Sequence, residues 1–126
     1  MSAVLGVGVD LCEVDRMRRV LARTPGFAAR VFTEDEQAYC RRRRDPVERF
    51  AVRFAAKEAV LKALGVGVGA CALREIEVVR EESGAPSLAL HGAAAELAEA
   101  RGIARWHVSL SHTSRVAEAL VIAVDS

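Results

Sequence analysis

Aromatic side chains are scarce in this chain of 126 residues: four Phe, one Tyr and one Trp. That counts against a nucleic-acid platform, which stacks bases on aromatic rings. Cysteine is scarce too. Cys12, Cys40 and Cys71 are odd in number and show no C-x-x-C spacing. They exclude a disulfide framework and a zinc site and point to a reducing compartment. No apolar run approaches the roughly 18–20 residues a membrane span needs. No charged region precedes an apolar stretch at the N-terminus, so no signal peptide is expected. The expectation is a soluble cytoplasmic protein that binds neither nucleic acid nor membrane. Net charge is only +1, which excludes a global polyelectrolyte. Lysine is nearly absent, with two Lys against 16 Arg.

Hydrophobic residues make up 52% of the chain, which excludes disorder. A mass of 13.6 kDa suits one domain spanning residues 1–126. Area scaling gives a folded surface of about 6,600 Å², so about two-thirds of the unfolded surface is buried. The core must be made of small side chains, because 23 residues are Ala. The mean hydropathy of +0.16 is compatible with further burial at a subunit interface. Charge is uneven. Residues 1–65 carry 13 Lys/Arg against 9 Asp/Glu, and residues 66–126 carry 5 against 8. That asymmetry is compatible with a basic face toward an acidic partner.

The pattern along the chain predicts an α+β order: strand, helices, two strands, helix, two strands. Residues 4–11 read as a strand whose glycines indicate close backbone approach or a bulge. Residues 13–24 read as a helix ended by Pro25-Gly26. Thr33-Glu34-Asp35-Glu36 is a capping box that starts another helix. The run Arg41 to Arg44 reads as a loop. Asp45-Pro46-Val47-Glu48 combines a cap, Pro at the first helical position and an acidic first turn. That helix should run to Leu64 and stop at Gly65. Residues 76–80 and 87–91 read as a hairpin around Ser83-Gly84-Ala85-Pro86. Residues 92–101 read as a helix. Residues 106–111 alternate, with Trp106, Val108 and Leu110 on one face, and residues 116–124 form a last strand.

Chemistry concentrates on the long helix. At 100° per residue, Leu64, Phe50, Leu61, Phe54 and Val47 share one arc, and Lys57 projects into it. Glu58 lies at its edge and Lys62 about 40° beyond. Charges at the margin of an apolar stripe incur desolvation unless they are paired or metal-bound. A Glu58–Lys62 surface pair is the structural alternative. Both lysines of the chain lie here, and lysine is a compact point charge suited to phosphate. Asp10 closes the first strand. It is either the cap of the next helix or one of two carboxylates that hold Mg²⁺ together with phosphate oxygens and water. Arg16, Arg19 and Arg23 span about 60° of the first helix. They form either a solvated face or a docking strip for an acidic helix, which Arg30 would extend. Gly65-Val66-Gly67-Val68-Gly69 is no P-loop. Ser111-His112 lies outside any G-x-S-x-G elbow, which disfavours a serine hydrolase.

Four blocks then carry a resemblance. They are Gly6-Val7-Gly8-Val9-Asp10-Leu11 with Val14 and Arg16; Phe32-Thr33 with Glu36; Arg53-Phe54-Ala55-Ala56-Lys57-Glu58-Ala59 with Lys62, Ala63 and Gly65; and His107-Val108-Ser109-Leu110-Ser111-His112. In this order, over nearly the whole chain, they resemble the holo-[acyl-carrier-protein] synthase family of single-domain 4′-phosphopantetheinyl transferases. The resemblance implies an α+β fold with a small antiparallel sheet and a long central helix. It implies a homotrimer with active sites at subunit interfaces. It implies transfer of 4′-phosphopantetheine from coenzyme A to a serine of apo acyl carrier protein, releasing adenosine 3′,5′-bisphosphate, in support of fatty acid or polyketide synthesis.

Asp10 and Glu58 fall on the family's Mg²⁺ ligands. Lys62, Arg53 and Lys57 fall near the pyrophosphate and adenosine bisphosphate, with Gly65 at the end of the same block. Ser109 and His112 fall in the strand lining the coenzyme A site. Metal-bound water, Glu58 through water and His112 are the candidate bases for the carrier serine. The strip Arg16, Arg19, Arg23, with Arg30, becomes the surface for an acidic carrier. Two departures stand out. Gly65-Val66-Gly67 replaces the family's usual Gly-Thr-Gly, which removes a hydroxyl. The segment after Tyr39 is short and Arg-rich. Two other readings compete: a non-catalytic module that binds an acidic partner, and another Mg²⁺-dependent enzyme acting on a nucleotide pyrophosphate.

Overall fold

One long helix lies across a three-stranded antiparallel sheet, and the other elements pack around that pair. The computed structural model describes residues 2–126. The chain runs β1 (Val4–Glu13), α1 (Val14–Arg23), α2 (Phe27–Val31), α3 (Glu34–Cys40) and α4 (Val47–Leu64). A 3₁₀ turn (Leu73–Glu75) leads to β2 (Ile76–Arg80), β3 (Pro86–Leu90), α5 (Gly92–Ala100), β4 (Arg105–His112) and β5 (Val116–Val124). The main sheet has the order β1-β5-β4, and β2-β3 is a separate hairpin. This is the α+β architecture the pattern predicts.

Local signals work where they are strong. Thr33 Oγ1 accepts from the Glu36 amide, and Glu36 Oε1 accepts from the Thr33 amide, completing the capping box. Gly65 closes α4 with φ +71°, the left-handed conformation glycine permits. Differences arise elsewhere. β1 continues past Asp10 to Glu13, because β5 pairs with it as far as Glu13↔Val116. Asp10 is therefore inside the strand and does not cap α1, whose N-cap Glu13 makes no side-chain cap bond. Pro46 is the N-cap of α4, although Asp45 Oδ1 still accepts from the Val47 amide at 3.2 Å. The short helix α2 carries no periodic sequence signal and is held by tertiary contacts: Arg74 donates to the Ala29 and Phe32 carbonyls.

Burial along α4 goes well beyond one stripe, which explains its Ala content. Ala51, Ala55, Ala56 and Ala59 have no exposed surface. Phe32, Phe50 and Leu64 supply the bulk of the core. The β1–α4 crossing is close because of two glycines. A Cβ on Gly6 would strike the Ala63 carbonyl, and one on Gly8 the Ala59 carbonyl. Neither carbonyl moves without moving the helix. Gly8→Ala is expected to destabilise the protein by at least about 3 kcal/mol, the upper range for overpacking. Urea unfolding would measure it, and an unchanged midpoint would refute this account of the crossing.

Candidate active site

Strand alternation places Gly8, Asp10 and Cys12 on the face of β1 that meets α4. With Gly8 bringing the two backbones together, Asp10 lies beside the outer part of α4. Lys62 Nζ donates to Asp10 Oδ1 at 3.0 Å and to the Val9 carbonyl at 3.0 Å. Lys62 thus pairs with Asp10 across the crossing, in place of the Glu58–Lys62 surface pair. Asp10 and Glu58 line one cleft of about 590 Å³, together with Cys12, Arg16, Met17 and Phe54. Burial pushes the Glu58 carboxyl above its usual range, the Asp10 charge adds to the rise, and Lys62 opposes it. Burial, reinforced by Asp10, raises the Cys12 thiol to about 11, so it is inert at neutral pH.

Two carboxylates that repel each other in a half-buried cleft suit a cation. Their hard oxygens suit Mg²⁺, which keeps several waters and shares its shell with phosphate. No group of three or more His, Cys, Asp or Glu that could hold a metal occurs among the described residues.

A second cleft, of about 500 Å³, opens where α3, α4, β2 and β4 meet. Tyr39 is its centre. The guanidinium carbons of Arg49, Arg53 and Arg80 lie 4.1, 4.3 and 5.3 Å from the Tyr39 ring centroid. Arg49 also donates to the Tyr39 carbonyl at 2.8 Å. Arg53 is only 4% exposed, and its Nε has no hydrogen-bond partner. Arg43, Ser109 and His112 complete the lining, which contains no carboxylate. His112 Nδ1 lies 3.1 Å from Glu48 Oε2 at the rim. Crowded guanidiniums with an unsatisfied buried donor, and no acid in the lining itself, form a receptor for a polyanion. Pro86, Val108 and Leu110 add apolar wall.

The expected site residues therefore divide into two groups. Asp10 and Glu58 line the first cleft, and Lys62 joins them through its bond to Asp10. Arg53, Ser109 and His112 meet at the second. Gly65 lines neither; it ends α4 beside Arg101. Lys57 is a correction. It was expected at the cofactor, but it is fully buried and its Nζ donates to Glu36 Oε1 at 2.7 Å, the Leu73 carbonyl at 3.1 Å and the Ile76 carbonyl at 2.5 Å. All three ammonium protons are used, so none is left for a ligand. Burial pulls the Lys57 ammonium below its usual range and Glu36 opposes that shift. Arg16, Arg19 and Arg23 are exposed and line a shallow groove on α1, and Arg16 also lines the Asp10–Glu58 cleft. Arg30 is exposed on α2, outside that groove. Tyr39, Arg49 and Arg80 were missed as site residues. The sequence pointed to this cleft through Arg53, Ser109 and His112, and Arg43 of the Arg41 to Arg44 run also lines it.

Helix, glycine-paved strand, carboxylate pair and arginine cleft together describe an enzyme that handles a phosphorylated substrate. The chain belongs to the 4′-phosphopantetheinyl transferase superfamily, whose pattern it matches over residues 6–124. Within it, the similarity is to holo-[acyl-carrier-protein] synthases. The one from Moorella thermoacetica is 45% identical over 123 residues, covering 98% of this chain and 96% of that protein. The one from Anaeromyxobacter sp. strain K is 50% identical over 124 residues, covering 94% of each. The crystal structure of the Bacillus anthracis holo-(acyl-carrier-protein) synthase in complex with CoA (3′,5′-ADP) superposes with a TM-score of 0.81 at 31% identity, covering 98% of each chain.

Proposed function

We propose that this protein transfers 4′-phosphopantetheine from coenzyme A to a serine of an apo acyl carrier protein and releases adenosine 3′,5′-bisphosphate. The observation that carries the reading is the pair of half-sites on one helix. A carboxylate pair lies at Glu58, and an arginine-rich cleft lies at Arg53. Coenzyme A offers a pyrophosphate to the first and a phosphorylated adenosine to the second. In the reaction the serine hydroxyl passes its proton to a base, for which Glu58 through water and His112 are the candidates, as its oxygen bonds to the phosphorus that bears pantetheine. The bond from that phosphorus to the bridging oxygen breaks, and the electron pair leaves on the nucleotide phosphate. Arg49, Arg53 and Arg80 hold the nucleotide end, and Lys62 offsets charge on the departing phosphate. Asp10 and Glu58 would hold Mg²⁺, which when bound neutralises pyrophosphate charge and polarises the attacked phosphorus. Arg16, Arg19 and Arg23 orient an acidic carrier beside the carboxylates.

The active form is a homotrimer with the site between subunits. Arg53 and Glu58 are five residues apart, about 140° around the helix. No residue lines both clefts. One coenzyme A molecule then bridges the carboxylate cleft of one copy and the arginine cleft of the next. The outer face of the main sheet supplies a contact surface. Val7, Val9, Leu11 and Leu120 are 55%, 49%, 61% and 37% exposed, and the pairs Val7↔Ile122 and Val9↔Leu120 make them contiguous. Val9→Asp is expected to yield a folded monomer with turnover reduced at least about a hundredfold, because half of each site is lost. Sedimentation and assay together check it, and an active monomer would refute the shared site. Among the described residues no helix is long and apolar enough to cross a membrane. Cys12, Cys40 and Cys71 are free, which suits the reducing cytoplasm.

The direct test is the intact mass of apo acyl carrier protein after incubation with this protein, coenzyme A and Mg²⁺, with an EDTA control. A gain of one phosphopantetheinyl group that EDTA prevents is the expected result. No gain with fatty-acid, polyketide or peptidyl carriers would overturn the assignment.

A further inference from the structure

The buried pair Glu36–Lys57 takes no part in the chemistry above, although both residues belong to the blocks that carry the resemblance. Glu36 is 1% exposed and Lys57 0%. Every polar atom of the pair is engaged. Glu36 Oε1 accepts from the Thr33 amide and from Lys57 Nζ, and Oε2 accepts from the Val78 amide at 2.9 Å. Lys57 also donates to the Leu73 and Ile76 carbonyls. The knot therefore ties α3, α4, the 3₁₀ turn and β2 at one point. Three of those elements, α3, α4 and β2, also wall the arginine cleft. Tyr39 comes from α3, Arg49 and Arg53 from α4, and Arg80 from β2. Lys57 is one helical turn beyond Arg53, and Val78 is two residues before Arg80, on the same face of its strand.

A buried ion pair is seldom the most stable filling for a core, since apolar replacements of equal volume are often as good. Its distinctive property is direction. Each bond fixes one element relative to another within a few tenths of an ångström, and an apolar contact does not. The cleft needs that precision, because three guanidiniums must converge on one aromatic ring and one ligand.

We infer that Glu36 and Lys57 are positioning residues for the arginine cleft: they set α3, α4 and β2 so that Tyr39, Arg53 and Arg80 converge on the nucleotide end of coenzyme A. The inference rests on the reading of that cleft given under Proposed function. Glu36→Gln is the sharper variant. An amide has one acceptor oxygen, so either the Thr33 or the Val78 amide must face an NH₂ group. Lys57→Met removes the bonds to Glu36, the turn and β2 while keeping most of the side chain's length.

The experiment measures binding of adenosine 3′,5′-bisphosphate by calorimetry, and KM for coenzyme A and for the carrier, for the wild type and both variants. Temperatures are set well below each variant's unfolding midpoint. Both variants are expected to bind the nucleotide about 10–100-fold more weakly, the scale for losing a supporting partner behind a direct ligand. KM for coenzyme A should rise in step, while KM for the carrier stays within about twofold. The double variant Glu36→Gln/Lys57→Met leaves no charge unpaired and recovers stability without recovering nucleotide affinity. Wild-type affinity in a folded variant, affinity restored along with stability in the double variant, or equal rises in both KM values would overturn the inference. If Lys57→Met does not fold, Glu36→Gln decides. If the wild type itself does not bind the nucleotide, the reading of the cleft fails instead, which separates the two failures.

Discussion

Asp10→Ala and Glu58→Ala are each expected to lower Mg²⁺-dependent turnover by at least about a hundredfold, the scale for losing a partner of developing charge in a transition state. Both side chains line a cleft, and neither belongs to the apolar core, so the fold should survive. Removing Asp10 also frees Lys62, which then keeps only the Val9 carbonyl as a partner. A readout independent of activity comes from the metal. Mg²⁺ should raise the unfolding midpoint of the wild type, because a ligand that binds only the folded state stabilises it by mass action. Neither variant should respond. A variant with full turnover, or with an undiminished Mg²⁺ response, would remove that residue from the metal site.

Glu58 adds a pH signature. Its folded carboxyl is shifted above the ordinary 4.5 by burial first and by Asp10 second. The folded chain thus holds that proton more tightly than the unfolded chain does. Ionised Glu58 therefore opposes folding at pH values above its folded pKa, and the penalty vanishes as pH falls below the unfolded value. Without metal, Glu58→Gln should stabilise the protein at pH 7 by about 0.5 kcal/mol, a size set by solvent screening at a half-exposed site. The difference should disappear toward pH 4. Urea titrations at the two pH values check it, and destabilisation at pH 7 would contradict the electrostatic account.

The second large effect concerns the carrier. Arg16→Glu combined with Arg23→Glu is expected to raise KM for an acidic acyl carrier protein by about a hundredfold or more, because two attractions become repulsions across the contact. Affinity for coenzyme A should be unchanged. The wild type should lose efficiency steeply as salt rises, and the double variant should not. Arg23 lies only in the α1 groove, whereas Arg16 also borders the carboxylate cleft. Arg23→Glu alone should therefore raise KM for the carrier without altering the Mg²⁺-induced shift in midpoint. Carrier modification unaffected by the double change would place the docking surface elsewhere.

Much of this protein is written in local sequence. The Thr33–Glu36 box, the Gly65 stop and the alternation of Trp106, Val108 and Leu110 each act within a few residues, so each is legible without the fold. The close approach promised by Gly6 and Gly8 is also present, against Ala63 and Ala59. Asp10, Glu58 and Lys62 were legible as candidates because their residue types and neighbours suit the proposed chemistry. What sequence did not disclose is pairing over distance. Lys62 looked four residues along its helix to Glu58, yet its partner is Asp10, 52 residues away, because β1 crosses α4 there. Lys57 looked like a ligand-binding cation, but Glu36 and two carbonyls, one from the 3₁₀ turn and one from β2, enclose it. Tyr39 gave no signal, since its role depends on Arg49, Arg53 and Arg80 converging from other elements. Short-range hydrogen bonds and side-chain periodicity determine the elements and the chemistry each carries. Only tertiary packing decides which charge meets which, because that depends on where strands and helices cross.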